Sequence, residues 1–227
     1  DTTKYFPIIF LFAVFLTLGV VHTLLFFYFR NDKTNIFFGL YCMGIAFVLF
    51  FVYYIITHSD YQFFKYLSKI AAYIAPLIIV PLIALYHSIY YQKLLKVFWV
   101  MIILYAANII STALNYSTLG GILVGILVTI SVVEIIRVNI RAITRKRDGA
   151  YILGLGILYI PLSMIAVIIF TVLQDEKKVH FGFESTWLYS MALSIPFSIT
   201  LYVSRHFARI NKRLIKQVDE IKNLSAI

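Results

Sequence analysis

Apolar residues in this chain come in long runs rather than in alternation. Seven stretches, approximately 6–29, 36–57, 67–86, 97–115, 117–136, 151–172 and 187–203, are almost free of charge. Each approaches the roughly 20 residues an α-helix needs to cross a hydrocarbon core. Lipid offers no hydrogen bonds to a backbone, so such runs must satisfy their own amides, which a helix does. The pattern predicts an all-α membrane protein, with a seven-transmembrane helix bundle over 1–204 and a C-terminal helix over 205–227 outside the membrane. Only Tyr116 and the segment Ser-Thr-Leu-Gly-Gly separate the fourth run from the fifth, so these two form a tight helical hairpin.

The pattern changes at the end of the last run. Arg205, Arg209, Lys212, Arg213 and Lys216 follow Val203 on one helical face, and Val203, Phe207, Ile210, Leu214, Gln217, Ile221 and Leu224 occupy the other in a 4-3 alternation. That alternation is the seam of a two-helix coiled coil. A basic helix lying on anionic lipid would carry the same faces. The chain opens on Asp1 without a methionine or a signal-peptide pattern, as a mature or truncated form would, and it stops inside this helical pattern, so more chain is expected after Ile227.

Composition agrees with the runs. Hydrophobic residues make up 62%, charged residues 13%, and mean hydropathy is +0.90, against about 45–50% and 25% for soluble domains. The net charge of +10 is set around the apolar runs, which excludes nucleic acid as the expected partner and makes orientation its purpose. With the N-terminus outside, the inner side holds Arg30, Lys33, Lys93, Lys96, Arg137, Arg141, Arg145, Lys146, Arg147 and six more from Arg205 to Lys222, fifteen of the twenty basic residues. The outer side keeps Lys4, Lys65, Lys69, Lys177 and Lys178. This bias puts the C-terminal helix in the cytoplasm and needs an odd number of spans. Trp99, Trp187, Tyr5, Tyr28, Tyr86 and Tyr116 fall at expected span ends, as interfacial anchors do.

Few residues suggest chemistry. His22 and Glu134 are the two ionisable groups expected at membrane depth, where such groups are costly. An ion pair with Arg137 three residues on is the plain explanation for Glu134, and a hydrogen-bonded buried imidazole that for His22. Asn108, Ser111, Thr112 and Asn115 line one face of the fourth run. They serve either interhelical hydrogen bonding or, with His22 and Glu134, a binding pocket. Ser190, Ser194 and Ser198, and the pair Gly121 and Gly125, have the small-residue spacing of close helix packing. Pro76, Pro81, Pro161 and Pro196 each remove an amide donor within a run, and Pro196 stands where a bend would swing the C-terminal helix. Cys42 is the only cysteine, which rules out an intrachain disulfide and leaves it a core residue. The five histidines are scattered, no nucleophile or phosphate-binding motif occurs, and no catalytic site, metal or cofactor is expected.

Gly19-Val-Val-His-Thr-Leu-Leu-Phe-Phe-Tyr-Phe-Arg with Asn35-Ile-Phe-Phe-Gly-Leu-Tyr resembles the first hairpin of bacterial seven-transmembrane receptors with diverse intracellular signalling modules. Ala208-Arg-Ile-Asn-Lys-Arg-Leu with Val218-Asp-Glu-Ile-Lys-Asn-Leu-Ser is similar to the point where such receptors enter a coiled linker. The resemblance implies a sensory module of the bacterial inner membrane. Its last helix would dimerise and drive a cytoplasmic effector, such as a histidine kinase, a phosphatase or a nucleotide cyclase, in the full-length protein. It assigns no ligand-contacting residues. On this reading Pro196, Phe207, Ile210, Leu214, Gln217, Ile221 and Leu224 transmit the signal. A small-solute transporter or channel using His22, Glu134 and the Asn108–Asn115 stripe is the rival expectation.

Overall fold

The computed structural model describes residues 5–30, 32–57, 78–91, 93–114, 117–147, 149–173 and 182–225. Regular structure in these residues is entirely helical: α1 (Phe6–Tyr28), α2 (Lys33–Thr57), α3 (Ile78–Tyr91), α4 (Lys96–Ala113), α5 (Ser117–Thr144), α6 (Ala150–Leu173) and α7 (Gly182–Ser225). Four are long and apolar enough to cross a membrane, namely Phe6–Tyr28, Lys33–Tyr54, Lys96–Ala113 and Leu119–Thr144, and Ile78–Tyr91 and Ala150–Tyr159 are shorter apolar helices. The protein is therefore a multi-pass helical membrane protein.

Its surface confirms the solvent. On α1 the exposed side chains Phe6, Phe10, Leu24 and Phe27 are as hydrophobic as the buried Ile8, Leu11 and Phe15. The outward faces of α4 and α5 repeat this with Ile103, Ile110, Ile122, Val133 and Ile140. An apolar surface of that extent is stable against lipid and not against water.

The chain divides into two compact units, residues 1–140 and 141–227. In the first, α1 and α2 form a hairpin whose buried stripe on α1, Ile8, Leu11, Phe15, Gly19 and His22, recurs every three or four residues. Phe38, Tyr41, Cys42 and Ala46 are among the buried residues of α2. The two helices touch backbone to backbone at Gly19 and Gly39, where a Cβ on either glycine would lie 3.1–3.2 Å from the other's carbonyl oxygen. Lipid gives little hydrophobic drive between helices, so this close approach and its dispersion contacts supply the adhesion. Farther along, Val80 and Ala84 of α3 and Phe98 of α4 make a core joined by Phe37, Ile102 and Tyr105.

Several expectations change here. The third run, expected over 67–86, continues to Tyr91, and the fifth, expected to end at 136, continues to Thr144. Tyr86 is 1% exposed and belongs to the core, so it is not an interfacial anchor, whereas Tyr28 and Trp99 are exposed as anchors should be. Gly121 and Gly125 carry no close packing: among the described residues a Cβ on either would meet nothing within 4 Å. The glycine that does pack is their neighbour Gly120, which faces α4.

In the second unit α6 and α7 pack along the serine stripe. Gly156 lies against the Ser198 side chain and the Ser194 carbonyl, and the Tyr159 hydroxyl donates to Ser190 Oγ at 2.9 Å. Pro196 is buried, and α7 runs through it without interruption although its nitrogen has no hydrogen to donate. At 1.5 Å per residue this helix is about 66 Å long, roughly twice a hydrocarbon core. Its second half is exposed. Leu214, Ile215, Val218 and Ile221 are 48–65% exposed, and Lys216 and Glu220 pair across one turn at 3.9 Å. Gln217 is exposed as well. The side chains of Phe207, Ile210 and Leu224, with Pro76 and most of the Asp175–Ser185 connector, lie outside the described residues.

Candidate functional site

The densest polar cluster in the first unit joins α3 to α5. Apolar neighbours make an unpaired charge expensive there, and the side chains answer by pairing. Glu134 is 4% exposed and His87 0%. Arg137, one helical turn on from Glu134, reaches back with Nε to Oε2 at 2.7 Å and Nη2 to Oε1 at 2.6 Å, a two-pronged guanidinium–carboxylate contact. His87 Nε2 meets the same Oε1 at 2.8 Å. The carboxylate thus takes three donors and its charge is balanced within the cluster.

The second ring nitrogen fixes the imidazole. The Leu95 amide, which precedes the first residue of α4, donates to His87 Nδ1 at 3.3 Å. An accepting Nδ1 bears no proton, so Nε2–H is the hydrogen that His87 offers Glu134. His87 is therefore a neutral bridge that ties the carboxylate of α5 to the backbone at the start of α4. One turn along the same interface Tyr90 Oη donates to Asn139 Oδ1 at 3.4 Å, while Asn139 Nδ2 donates to the Ile135 carbonyl at 3.0 Å. Arg137 has about a third of its side chain exposed and carries the cluster out to the interface.

A second cluster sits at the turn of the α1–α2 hairpin. His22 Nδ1 and Asn35 Oδ1 are 3.0 Å apart, with Phe38 edge-on to the imidazole at 4.5 Å. Asp32 accepts from the Thr34 amide at 3.0 Å, opening α2, and Ser88 Oγ approaches Thr34 Oγ1 at 3.5 Å, so this turn contacts the residue after His87. Asn35 Nδ2 is buried and has no hydrogen-bond partner among the described residues.

Of the sequence candidates, Glu134 pairs with Arg137 as expected, and His22 is a satisfied buried imidazole. Each has its own partners: His22 bonds Asn35, and Glu134 bonds His87 and Arg137. Asn108 and Ser111 are each 2% exposed, and with Thr112 they close around Gly120 of α5. A Cβ there would lie 3.3 Å from Thr112 Oγ1, 3.5 Å from Asn108 Oδ1 and 3.7 Å from Ser111 Oγ. The stripe therefore packs a helix pair, and it leaves Asn108 Nδ2 without a partner among the described residues. Asn115, the fourth member, lies outside the described residues. Cys42 is buried in the α1–α2 hairpin.

Sequence reasoning missed His87, Asn35, Tyr90 and Asn139. His87 falls one residue beyond the expected end of the third run; extending that run through His-Ser-Ile-Tyr-Tyr would have placed it at depth. Its pairing with Glu134, 47 residues away, has no sequence signal. Among the described residues no three His, Cys, Asp or Glu side chains gather as metal ligands. Comparison with family models, curated proteins and solved structures finds no match.

Proposed function

We propose that this chain is a sensory module of a bacterial inner membrane. In this reading it spans the membrane seven times with its N-terminus outside, and it relays a stimulus through α7 to a cytoplasmic effector. The observation that carries the reading is α7 itself. One unbroken helix of 44 residues packs on α6 along Ser190, Ser194 and Ser198 and continues to Leu214, Val218 and Ile221, which are exposed. A transporter has no need of such an extension. A relay does, because a rigid helix transmits rotation or translation from the membrane to whatever follows it.

The exposed apolar residues are the seam of a homodimer, with Gln217 as a polar layer that weakens one register enough to permit two. Pro196, buried against neighbours yet unable to complete its backbone hydrogen bond, is the point about which α7 bends. The His87–Glu134–Arg137 cluster holds α3, α4 and α5 as the fixed frame. Positive charge on the α5–α6 turn and on α7 supports the orientation.

The test is disulfide crosslinking in native membranes of Leu214→Cys and Ile221→Cys, each with Cys42→Ala. Intersubunit crosslinks at both positions, with none at Asp219→Cys on the outer face, are expected. Monomer at all three would remove the dimeric relay. Solute flux in proteoliposomes that persists after deletion from residue 205 onward would favour the transporter instead.

A further inference from the structure

The connection from α5 to α6 contains a backbone choice that packing does not require. α5 ends in a paired hydrogen-bond motif: the Arg147 amide reaches the Ala142 carbonyl at 2.9 Å and the Lys146 amide reaches Ile143 at 2.9 Å. Glycine usually occupies the left-handed position of this motif because a Cβ is strained there. Here that position is Lys146, at φ 51°. The chain holds a strained lysine between Arg145 and Arg147, with Arg141 one turn earlier, and all four side chains are exposed.

Gly149, at φ 72°, completes the turn, and the Tyr202 ring of α7 packs directly on its Cα. That contact lies within the second unit, so the position of the turn against α7 is defined. Arg205 and Arg209 follow Tyr202 by three and seven residues, on the same helical side. The turn and the first basic stretch of α7 therefore bring basic residues together where both helices leave their apolar stretches.

We infer that this collar, Arg141, Arg145, Lys146 and Arg147 with the adjoining stretch of α7, is a docking surface for the headgroups of anionic phospholipids. Charge complementarity and location choose this occupant. The basic groups stand at the ends of helices whose apolar faces are open to lipid, so phosphate esters of the bilayer are the anions within reach, and the attraction acts over a Debye length of about 8 Å. Bound headgroups would hold the turn and, through Tyr202 on Gly149, the exit of α7 at one depth. The inference stands apart from the relay, since a monomeric protein would bind lipid equally.

The test uses the full chain purified in mixed micelles of equimolar phosphatidylglycerol and phosphatidylcholine, with retained lipids counted by native mass spectrometry. Each basic residue near an anionic surface strengthens attachment roughly fivefold. Wild type should be enriched in phosphatidylglycerol, and Arg141→Gln/Arg145→Gln/Lys146→Gln/Arg147→Gln should lose that enrichment by about tenfold or more. The variant Arg141→Lys/Arg145→Lys/Arg147→Lys keeps the charge and should retain it, as should Lys216→Gln/Lys222→Gln farther along α7. Inorganic phosphate at millimolar concentration should not displace the lipid. No enrichment in wild type, as for a surface that docks an acidic protein, would overturn the inference. So would equal enrichment in the four-Gln variant, loss in the charge-preserving variant, equal loss in the α7 control, or displacement by free phosphate.

Discussion

Replacing Glu134 tests the polar frame, because three contacts of known length end on its carboxylate. Glu134→Ala removes the acceptor for His87 Nε2–H and for both Arg137 donors. His87 is 0% exposed and cannot turn to water, so its stranded N–H costs about 1–3 kcal/mol. Arg137 is about one-third exposed. It can swing its guanidinium to the interface, which limits its share to about 1 kcal/mol. The expected loss is roughly 2–4 kcal/mol, at the lower edge of the range of about 3–5 kcal/mol for breaking a buried pair because Arg137 is part-exposed. Glu134→Gln keeps a carbonyl oxygen for His87 but gives up the charge and one of the two oxygens that accept from Arg137, which can turn to the interface, for about 0.5–1.5 kcal/mol. Unfolding free energies from reversible SDS titration in mixed micelles measure both. The cycle Glu134→Ala, His87→Ala and the double variant should show a coupling of about 1–2 kcal/mol, since the second substitution removes a group already stranded. Glu134→Ala no worse than Glu134→Gln, or additivity within about 0.5 kcal/mol, would refute the bridge.

Gly39→Val should destabilise the α1–α2 hairpin by about 1–3 kcal/mol in the same titration, because its first carbon would crowd Thr23 Oγ1 at 2.6 Å and the Gly19 carbonyl. Gly121→Ala and Gly125→Ala should not lower stability and should raise it by up to about 1 kcal/mol, as a Cβ at either position meets nothing within 4 Å among the described residues and the helix loses a flexible glycine. Lys146→Gly should stabilise the protein by up to about 1 kcal/mol by relieving the left-handed backbone, and Gly149→Ala should lower stability by at least about 1 kcal/mol through its positive φ and the Tyr202 ring. Thermal midpoints in one detergent rank these last two against wild type.

The helices were legible because lipid demands a crude and long signal: a run of apolar residues is enough to place α1, α2, α4 and α6, and the start of α5, within a few residues. Helix ends were less legible, since polar residues continue a helix wherever they find partners. Ser88 and Tyr90 do so in α3, and Asn139 in α5. The site was half visible. Glu134 with Arg137 obeys a local spacing rule, whereas His87 reaches Glu134 only through tertiary packing. Small-residue spacing marked α5 as a packing helix but not its packing face, because Gly120, Gly121 and Gly125 have the same chemistry and only the fold of the α4–α5 hairpin separates them. The exposed half of α7 was legible in its amphipathic pattern, and the exposure of Ile215 and Val218 widens the apolar face beyond the seam positions read from the heptad.

The central claim is that this face meets its copy in a second chain. Spin labels at Leu214→Cys, Ile221→Cys and Asp219→Cys, each with Cys42→Ala and in lipid nanodiscs, measure it by pulsed dipolar spectroscopy. Two helices in a seam lie about 8–10 Å apart. The account predicts short interchain distances at Leu214 and Ile221 and a distinctly longer one at Asp219. Absence of dipolar coupling at all three positions, or equal distances regardless of helical face, would contradict it.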